Sequence, residues 1–483
     1  MNFDAKYTMI FTPKRLVMAL SALCFCSAYA QEVYKPTPAN PTAVLPESPR
    51  PMGADKGASV QQSIAVSDEQ LASDPALLAS ILDKAVEGQA WGVVAHLLPM
   101  YAQVQARDET LLRYAQARLA HAQGDYPRAI ATYRQILNAS AELTPVRMYL
   151  AQALFENQEN EAATFQLEKV QADNPPEPVL KMVAQYLSAI RQRSGWRVNG
   201  YVNYVSDDNV NNASSDRMIS INGQPTRLQL SEASLPKSGQ GLSYGANVAR
   251  DFYISDQHAV TTSVNLNGKS YWNRHDYDDI FARVNVGYQW QSARKVFALV
   301  PFYQKRWFAG KNYSDTYGVR LNSSYLIAPN WQVGGAYEYG QNRYDERGFL
   351  DGAYHFVSLS SNYTLNAKTQ VFAGVDVTDD QTQDASDSSL RVGYRVGMVR
   401  ELPLNLSAQV QLGVANKLFD AVSFFGVRRD EREYNGTLTL WNRGWYWYGV
   451  MPKLNFEYTR TRSNISMYSF QKNRIYLSLD RRF

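Results

Sequence analysis

The chain has 483 residues, which is enough for two or three domains, and 45% of them are hydrophobic. Its mean hydropathy is −0.39, and it holds no run of about 18 apolar residues, which excludes a membrane protein built from spanning helices. The 49 basic and 45 acidic residues leave a formal net charge of +4. Because the Lys and Arg residues form no stripe along the sequence, we expect no nucleic-acid partner.

The first 30 residues have the pattern of a secretory signal peptide. Two basic residues precede an apolar run of about ten residues, and an A-x-A cleavage motif ends at Ala30. Both cysteines of the chain, Cys24 and Cys26, lie in this run. We therefore predict an exported protein, with a signal peptide over residues 1–30 and no cysteine or disulfide in the mature chain.

Residues 31–66 are rich in Pro, Ala, Ser and Gln. Such a composition buries too little apolar surface to fold by itself, so we predict a disordered linker.

Residues 67–194 show helical spacing of apolar residues and an internal match at a period of 34 residues. Ala117, Ala129 and Tyr133 align with Ala151, Ala163 and Leu167. This predicts tetratricopeptide-like α-helical repeats in the periplasm, with a plain helical bundle as the alternative. Stacked helix pairs form a concave groove, so we predict a docking module that includes Gly124, Tyr126, Tyr133, Arg147 and Tyr149.

From residue 195 to residue 483 the composition and the period change. Aromatic residues number 45 among residues 196–483 but 15 among residues 1–195, and apolar residues now alternate with polar ones. We predict a 14-stranded antiparallel transmembrane β-barrel, and hence an α+β multidomain chain, with a soluble β-sandwich as the alternative. The expected strands are 196–205, 241–253, 258–271, 279–290, 296–307, 315–327, 331–344, 352–365, 368–379, 388–400, 404–418, 430–442, 449–462 and 470–483.

Loop lengths and side-chain alternation give the expected barrel two different ends and two different faces. Short turns alternate with longer polar loops, of which 206–240 is the longest, and tryptophans lie near the strand ends. Trp441 is expected in the girdle at the short-turn end. The acidic pair Asp207-Asp208 is expected at the outer end of a strand, in a solvated loop, with a cation site as the alternative. The polar residues of the alternation predict a polar lumen lined by Asn203, Asn455, Glu457, Tyr476 and Ser478.

The C-terminus has an alternation of its own. Counting back from the terminal Phe483 in steps of two reaches Leu479, Leu477 and Ile475. This pattern resembles the recognition signal of the outer-membrane barrel assembly machinery, so that machinery is an expected partner during biogenesis.

No catalytic, metal-binding or cofactor-binding constellation emerges from the sequence, and we expect no enzymatic activity. The G-x-S-x-G match at Gly241–Gly245 lies in an alternating strand rather than in a strand–turn–helix context. The five histidines are scattered without the spacing of metal ligands.

Three stretches resemble the Slam family of Gram-negative outer membranes, the surface lipoprotein assembly modulators. They are residues 145–163, residues 424–443, and residues 461–464 together with Lys472-Asn473-Arg474 and Phe483. The order of linker, helical repeats and barrel is also similar over the whole mature chain. The resemblance implies an outer-membrane translocator for surface lipoproteins or secreted haem- or iron-acquisition proteins, in contact with outer-membrane lipid. It implies no catalytic residues.

The runner-up interpretation is a porin for exopolysaccharide export, because some such porins also join helical repeats to a barrel. Those proteins carry many more repeats than the four helical pairs that fit here. A passive porin would leave residues 67–194 without a role.

Overall fold

A computed structural model describes residues 67–445 and 450–482. The predicted signal peptide, the predicted linker and the terminal Phe483 lie outside the described residues. No helix in the described part of the chain is both long enough and apolar enough to cross a membrane.

The N-terminal part is a series of short antiparallel helices whose ends are marked by the sequence. Asp74, Asp108 and Asp125 each cap a helix by accepting backbone N–H groups, which satisfies donors that have no partner inside the helix. The eight helices are α1 (Asp68–Ser73), α2 (Pro75–Glu87), α3 (Trp91–Ala102), α4 (Glu109–Ala122), α5 (Tyr126–Ala139), α6 (Thr144–Glu156), α7 (Asn160–Ala172) and α8 (Glu177–Arg193).

The helices pack in the manner of tetratricopeptide repeats. The aligned small residues Ala117, Ala129, Ala151 and Ala163 are all fully buried, so neighbouring helices can approach closely. One apolar cluster joins α4 through α8, and a second joins α1 through α4. The predicted helical repeats are therefore confirmed in fold, because each pair buries its apolar face against the next pair.

The C-terminal part is a closed barrel of 14 antiparallel strands, as predicted. Closure pairs the first strand with the last, so no edge strand is left with open N–H and C=O groups. The strands are β1 (Arg197–Asp207), β4 (Gly239–Ser255), β5 (His258–Tyr271), β6 (Asp279–Gln291), β7 (Lys295–Phe308), β8 (Lys311–Ala328), β9 (Trp331–Tyr344), β10 (Gly352–Asn366), β11 (Thr369–Thr382), β12 (Ser389–Glu401), β13 (Leu406–Val422), β14 (Arg428–Asn442), β15 (Val450–Ser463) and β16 (Phe470–Arg482).

The two remaining strands, β2 (Met218–Ile221) and β3 (Gln224–Gln229), form a separate hairpin inside the long loop between β1 and β4. No strand was predicted in this loop. Its turn is Asn222-Gly223, and both residues have positive φ, of 51° and 80°. Asn-Gly is the pair that favours this kind of tight hairpin turn, so a local signal for the hairpin is present in the sequence.

Alternation along each strand separates an apolar outer face from a polar inner face. Leu479, Leu477 and Ile475 are 44–49% exposed on the outer face of β16, where lipid would cover them. Trp441 departs from its expected place in an outer girdle. The register pairs it with Lys453, one step out of phase with the outward Leu440–Leu454 pair, so its ring belongs to the inner face.

Candidate functional site in the barrel lumen

The five sequence-predicted lumen residues lie on the inner face of β1, β15 and β16. Asn203, Asn455 and Ser478 are 5–8% exposed. The Asn455 side-chain amide donates to the Ser478 hydroxyl at 3.0 Å, and the Tyr476 hydroxyl donates to a Glu457 carboxylate oxygen at 2.8 Å. The structure therefore brings four of the five into direct pairs, on the wall where the barrel closes.

Asp207 extends this wall toward the end of the barrel that is remote from the helices. It is 1% exposed, so its expected place in a solvated loop is wrong. Its Oδ2 atom forms ion pairs with Lys472 Nζ at 3.0 Å and Arg474 Nε at 3.5 Å. The same oxygen accepts a hydrogen bond from the Tyr271 hydroxyl at 3.2 Å. Because Lys472 and Arg474 belong to β16, these contacts fasten the last strand to the first.

A second polar cluster lies on the opposite wall and was not predicted. Glu338 on β9 is fully buried. Its carboxylate accepts from Arg283 at 3.0 and 3.2 Å, from Arg320 at 2.9 Å and from the Tyr354 hydroxyl at 2.6 Å. Burial of one anion is thus balanced by two cations and a neutral donor.

The Glu338 cluster joins four strands, β6, β8, β9 and β10, through side chains that project inward. The long side chains of this cluster fill part of the lumen. The interior is therefore narrower than the 14-stranded wall alone would leave it.

The lumen keeps an open cavity of about 680 Å³ in the half remote from the helices. Its walls mix aromatic, cationic and anionic side chains from nearly the whole circumference. They include Tyr201, Asn267, Arg306, Asn342, Lys417 and Thr459. Asp387, from the loop between β11 and β12, also lines the cavity, and burial raises the pKa of its carboxyl.

The loop between β1 and β4 (residues 208–238, hereafter the β1–β4 loop) roofs this cavity. Asn212, Ala213 and Ser214 from the loop are 2–6% exposed and line the cavity from above. Lys472 on the barrel wall donates to the Asn212 side chain at 3.0 Å. A folded polar segment therefore covers part of the cavity at this end.

The hairpin of the β1–β4 loop is held down by hydrogen bonds to the loop between β15 and β16, and the start of the β1–β4 loop is bonded to β16 itself. Asn222 N donates to Asn464 O at 2.7 Å, and Ser220 N donates to the Ser466 hydroxyl at 2.8 Å. Ile465 is the one fully buried apolar residue in these contacts between the two loops. Neutral hydrogen bonds contribute about 0.5–1.5 kcal/mol each, so this closure is far weaker than the barrel wall.

The opposite end of the barrel contacts the helices through two short turns. Asp256, in the turn between β4 and β5, accepts from Glu161 N at 2.8 Å and from Ala162 N at 3.2 Å, and so caps the N-terminus of α7. Arg294, in the turn between β6 and β7, donates to Gln123 O at 3.1 Å. The helical part is thus seated on the β4–β7 side of this end.

The five residues predicted for the docking module lie in different surroundings. Tyr133 is fully buried, and its ring stacks on Tyr149 at 6.4 Å between centroids. Arg147 donates to Gln166 at 3.1 Å. Gly124 has a φ of +73°, and an added Cβ would lie 2.7 Å from Arg294 Nη2. Gly124 therefore belongs to the contact with the barrel, and Tyr133 to the helical core.

Tyr126, the fifth of these residues, packs edge-on against His121 with ring centroids 5.7 Å apart. His121 Nε2 lies 3.0 Å from a Glu156 carboxylate oxygen. Burial raises the pKa of the Tyr126 hydroxyl, and the nearby Glu156 charge raises it further. This buried polar group holds α4, α5 and α6 together beside the barrel contact.

Arg193, at the end of α8, fixes the helices just before the chain enters β1. Its guanidinium donates to Phe155 O and to Asn160 Oδ1, both at 2.8 Å, and stacks 3.5 Å from the centre of the Phe155 ring. Burial lowers the pKa of Arg193 to about 10. The junction between helices and barrel is thereby rigid on the helical side.

Within residues 67–445 and 450–482, no group of three or more His, Cys, Asp or Glu side chains could hold a metal ion. The chemistry of the lumen is that of hydrogen bonding and charge. Its walls offer hydrogen-bond donors, hydrogen-bond acceptors and charges of both signs.

Comparison with known proteins matches the helical part and the barrel to the same family. Residues 196–483 match the family described as surface lipoprotein assembly modifier, and residues 64–167 match the N-terminal TPR repeats of the same family. The surface lipoprotein assembly modifier 2 of Haemophilus influenzae is 35% identical, with 87% of each chain covered. The surface lipoprotein assembly modifier of Pasteurella multocida is 32% identical, covering 90% of this chain and 89% of that one. The hemophilin secretion modulator of Acinetobacter baumannii is 23% identical, covering 85% and 86%.

Proposed function

The chain belongs to the surface lipoprotein assembly modifier family, and on that premise we propose that it moves specific surface lipoproteins or secreted haem- or iron-acquisition proteins across the outer membrane. The family and the outer-membrane location expected from the sequence are confirmed. The identity of the cargo is a matter for experiment. The names of the relatives favour a protein cargo over a polysaccharide.

The observation that carries this proposal is the polar lumen roofed by a weakly held loop. An open porin needs no roof, and a purely structural barrel needs no cavity. Here the cavity of about 680 Å³ ends against Asn212, Ala213 and Ser214. Passage of a polypeptide through the lumen therefore requires the β1–β4 loop to move, and its anchoring hydrogen bonds are of a strength that binding of cargo can offset.

The helical repeats are the proposed receiving site in the periplasm. They sit on the β4–β7 side of the barrel entrance through Asp256 and Arg294. Among the described residues these contacts lie on the β4–β7 side, so a cargo segment held on the repeats would lie beside the barrel entrance. The role of the C-terminal residues in recognition by the barrel assembly machinery also stays a prediction.

Deletion of the gene tests the proposal. A neighbouring candidate cargo should still be synthesised but lose its accessibility to protease added outside the cell, or lose its release into the medium. Re-expression of the full chain should restore display. Unchanged display in the deletion strain would refute the translocator function.

Removal of residues 67–194 tests the helical part separately. The remaining barrel should reach the outer membrane in a heat-modifiable form and yet deliver little cargo. If this shortened chain restores display as well as the full chain does, the receiving role of the repeats is excluded and the translocator function stands.

A further inference from the structure

Three arginines stand together on the outer face of β14 and β15, near the end remote from the helices. The register places Arg432 directly opposite Arg462 and Tyr434 directly opposite Arg460. Arg432 and Arg462 are exposed, and Arg460 is half-buried. Like charges in directly opposed positions repel each other, so the barrel gains nothing from this arrangement by itself.

Neutral groups surround the three arginines. Arg432 Nε donates to Asn416 Oδ1 at 3.1 Å, and the Arg462 guanidinium lies 5.9 Å from the centre of the Tyr434 ring. Asp430 is the nearest acidic residue on the same face of β14. In the part of the chain that the structure describes, neither Asp430 nor any other carboxylate forms an ion pair with these three arginines.

Other cations near this end of the barrel are placed differently. Lys305 on the outer face of β7 is paired with Asp315 at 3.0 Å. Arg343 on β9 lies directly opposite Asp315 in the strand register and 5.8 Å from the centre of the Tyr317 ring. The three arginines on β14 and β15 therefore form a cluster whose counter-charge has to come from outside the chain.

The position of the three arginines along the barrel axis indicates where that counter-charge lies. Outward residues of β15 run from Leu454 and Phe456 to Tyr458, all 37–40% exposed, and then to Arg460 and Arg462. An apolar band followed by an aromatic residue marks the lipid boundary of an outer-membrane barrel. The arginines thus stand one step beyond the hydrocarbon, at the level of the lipid headgroups of the outer leaflet.

We propose that Arg432, Arg460 and Arg462 form a binding site for the phosphate groups of outer-leaflet lipid. Guanidinium groups bind phosphate oxygens through paired, charge-assisted hydrogen bonds. A phosphorylated headgroup between the two strands would neutralise the opposed pair, while its acyl chains pack on Leu454 and Phe456. This site depends on the outer-membrane location and not on the identity of the cargo.

Lipid binding to the full chain in detergent tests the site. Native mass spectrometry would follow diphosphorylated lipid A and the same lipid with its phosphates removed. Each basic residue near a charged lipid surface contributes about 1 kcal/mol. The triple variant R432Q/R460Q/R462Q should therefore bind the phosphorylated lipid roughly 100-fold more weakly than the natural chain, and R343Q should bind it normally.

Three outcomes would overturn the proposal. They are equal retention of the dephosphorylated lipid, unchanged binding by the triple variant, and binding of inorganic phosphate alone as tight as that of the lipid. Without lipid, the triple variant should be at least as heat-resistant as the natural chain, because the opposed charges are gone. If the triple variant fails to fold, lipid binding by the single variant R462Q is measured over a range of salt concentrations instead. Loss of one phosphate contact should lower the salt dependence of lipid binding, and an unchanged salt dependence would overturn the proposal.

Discussion

At Glu338, one buried carboxylate holds donors from three other strands. The Arg283, Arg320 and Tyr354 contacts are all 3.2 Å or shorter, and they cross the interior of the barrel rather than its surface. Such a cluster contributes to shape more than to net stability, because the desolvation of its charges offsets most of their attraction. Loss of the anion alone is a different matter, since two cations would then stay buried without a partner.

The substitution Glu338→Ala should therefore destabilise the barrel by about 3–5 kcal/mol. The measurement is the temperature at which the folded, heat-modifiable band disappears on electrophoresis. Glu232→Gln is the matched control, because Glu232 pairs with Arg217 in an exposed loop, with both side chains at least two-thirds exposed. That change should cost less than about 1 kcal/mol. Equal effects of the two substitutions would show that the Glu338 cluster is not a structural brace.

At the scale of elements, the role of the β1–β4 loop can be tested apart from the role of the barrel wall. Its hairpin lies on the loop between β15 and β16, where the Asn464 side chain donates to the Asn222 side chain at 3.3 Å. The barrel strands are joined along continuous ladders, whereas this loop is joined at a few points. We therefore predict that it moves while the strands of the wall keep their pairing.

A disulfide that ties this loop down should block export. The pair Asn222→Cys and Asn464→Cys should form a bond under oxidising conditions, lower surface display of cargo several-fold, and release it again on reduction. The control pair Met218→Cys and Gln229→Cys joins β2 to β3 within the hairpin and should leave display unchanged. Normal display by the oxidised Asn222–Asn464 pair would mean that cargo does not pass beneath this loop.

Much of the element pattern could be predicted, because lipid and water impose a strict alternation on barrel strands. All 14 barrel strands were expected within a few residues of their observed limits. Larger shifts occur where loops extend a strand, as at β13, which continues to Val422 beyond the expected end at residue 418. Trp441 was assigned to the wrong face because nearness to a strand end says nothing about the parity of a residue.

The inner clusters could be predicted only in part. Asn455, Glu457, Tyr476 and Ser478 follow from alternation along two strands. The partners of Glu338 lie 16 to 55 residues away in sequence, and their meeting depends on the curvature of the closed wall. Asp207 was misplaced because a charged residue at a strand end is usually solvated, and only the folded loop above it shows that it is buried.

At the scale of the whole molecule, the helices, the polar lumen and the β1–β4 loop follow one another from one end of the barrel to the other. The helices contact one end through Asp256, Gln257 and Arg294. The β1–β4 loop covers part of the other end, and the arginine cluster lies on the outside near that loop. This order is consistent with transport in one direction, from the helices toward the outer surface.

Site-specific photo-crosslinking during export tests the central claim, which is that cargo passes through the lumen. Thr459 lines the cavity, and the neighbouring Tyr458 is 40% exposed on the outer face of the same strand. A photoreactive residue at position 459 should form an adduct with the cargo, and the same residue at position 458 should not. Adducts at 458 but not at 459, or at neither position while export continues, would contradict passage through the lumen.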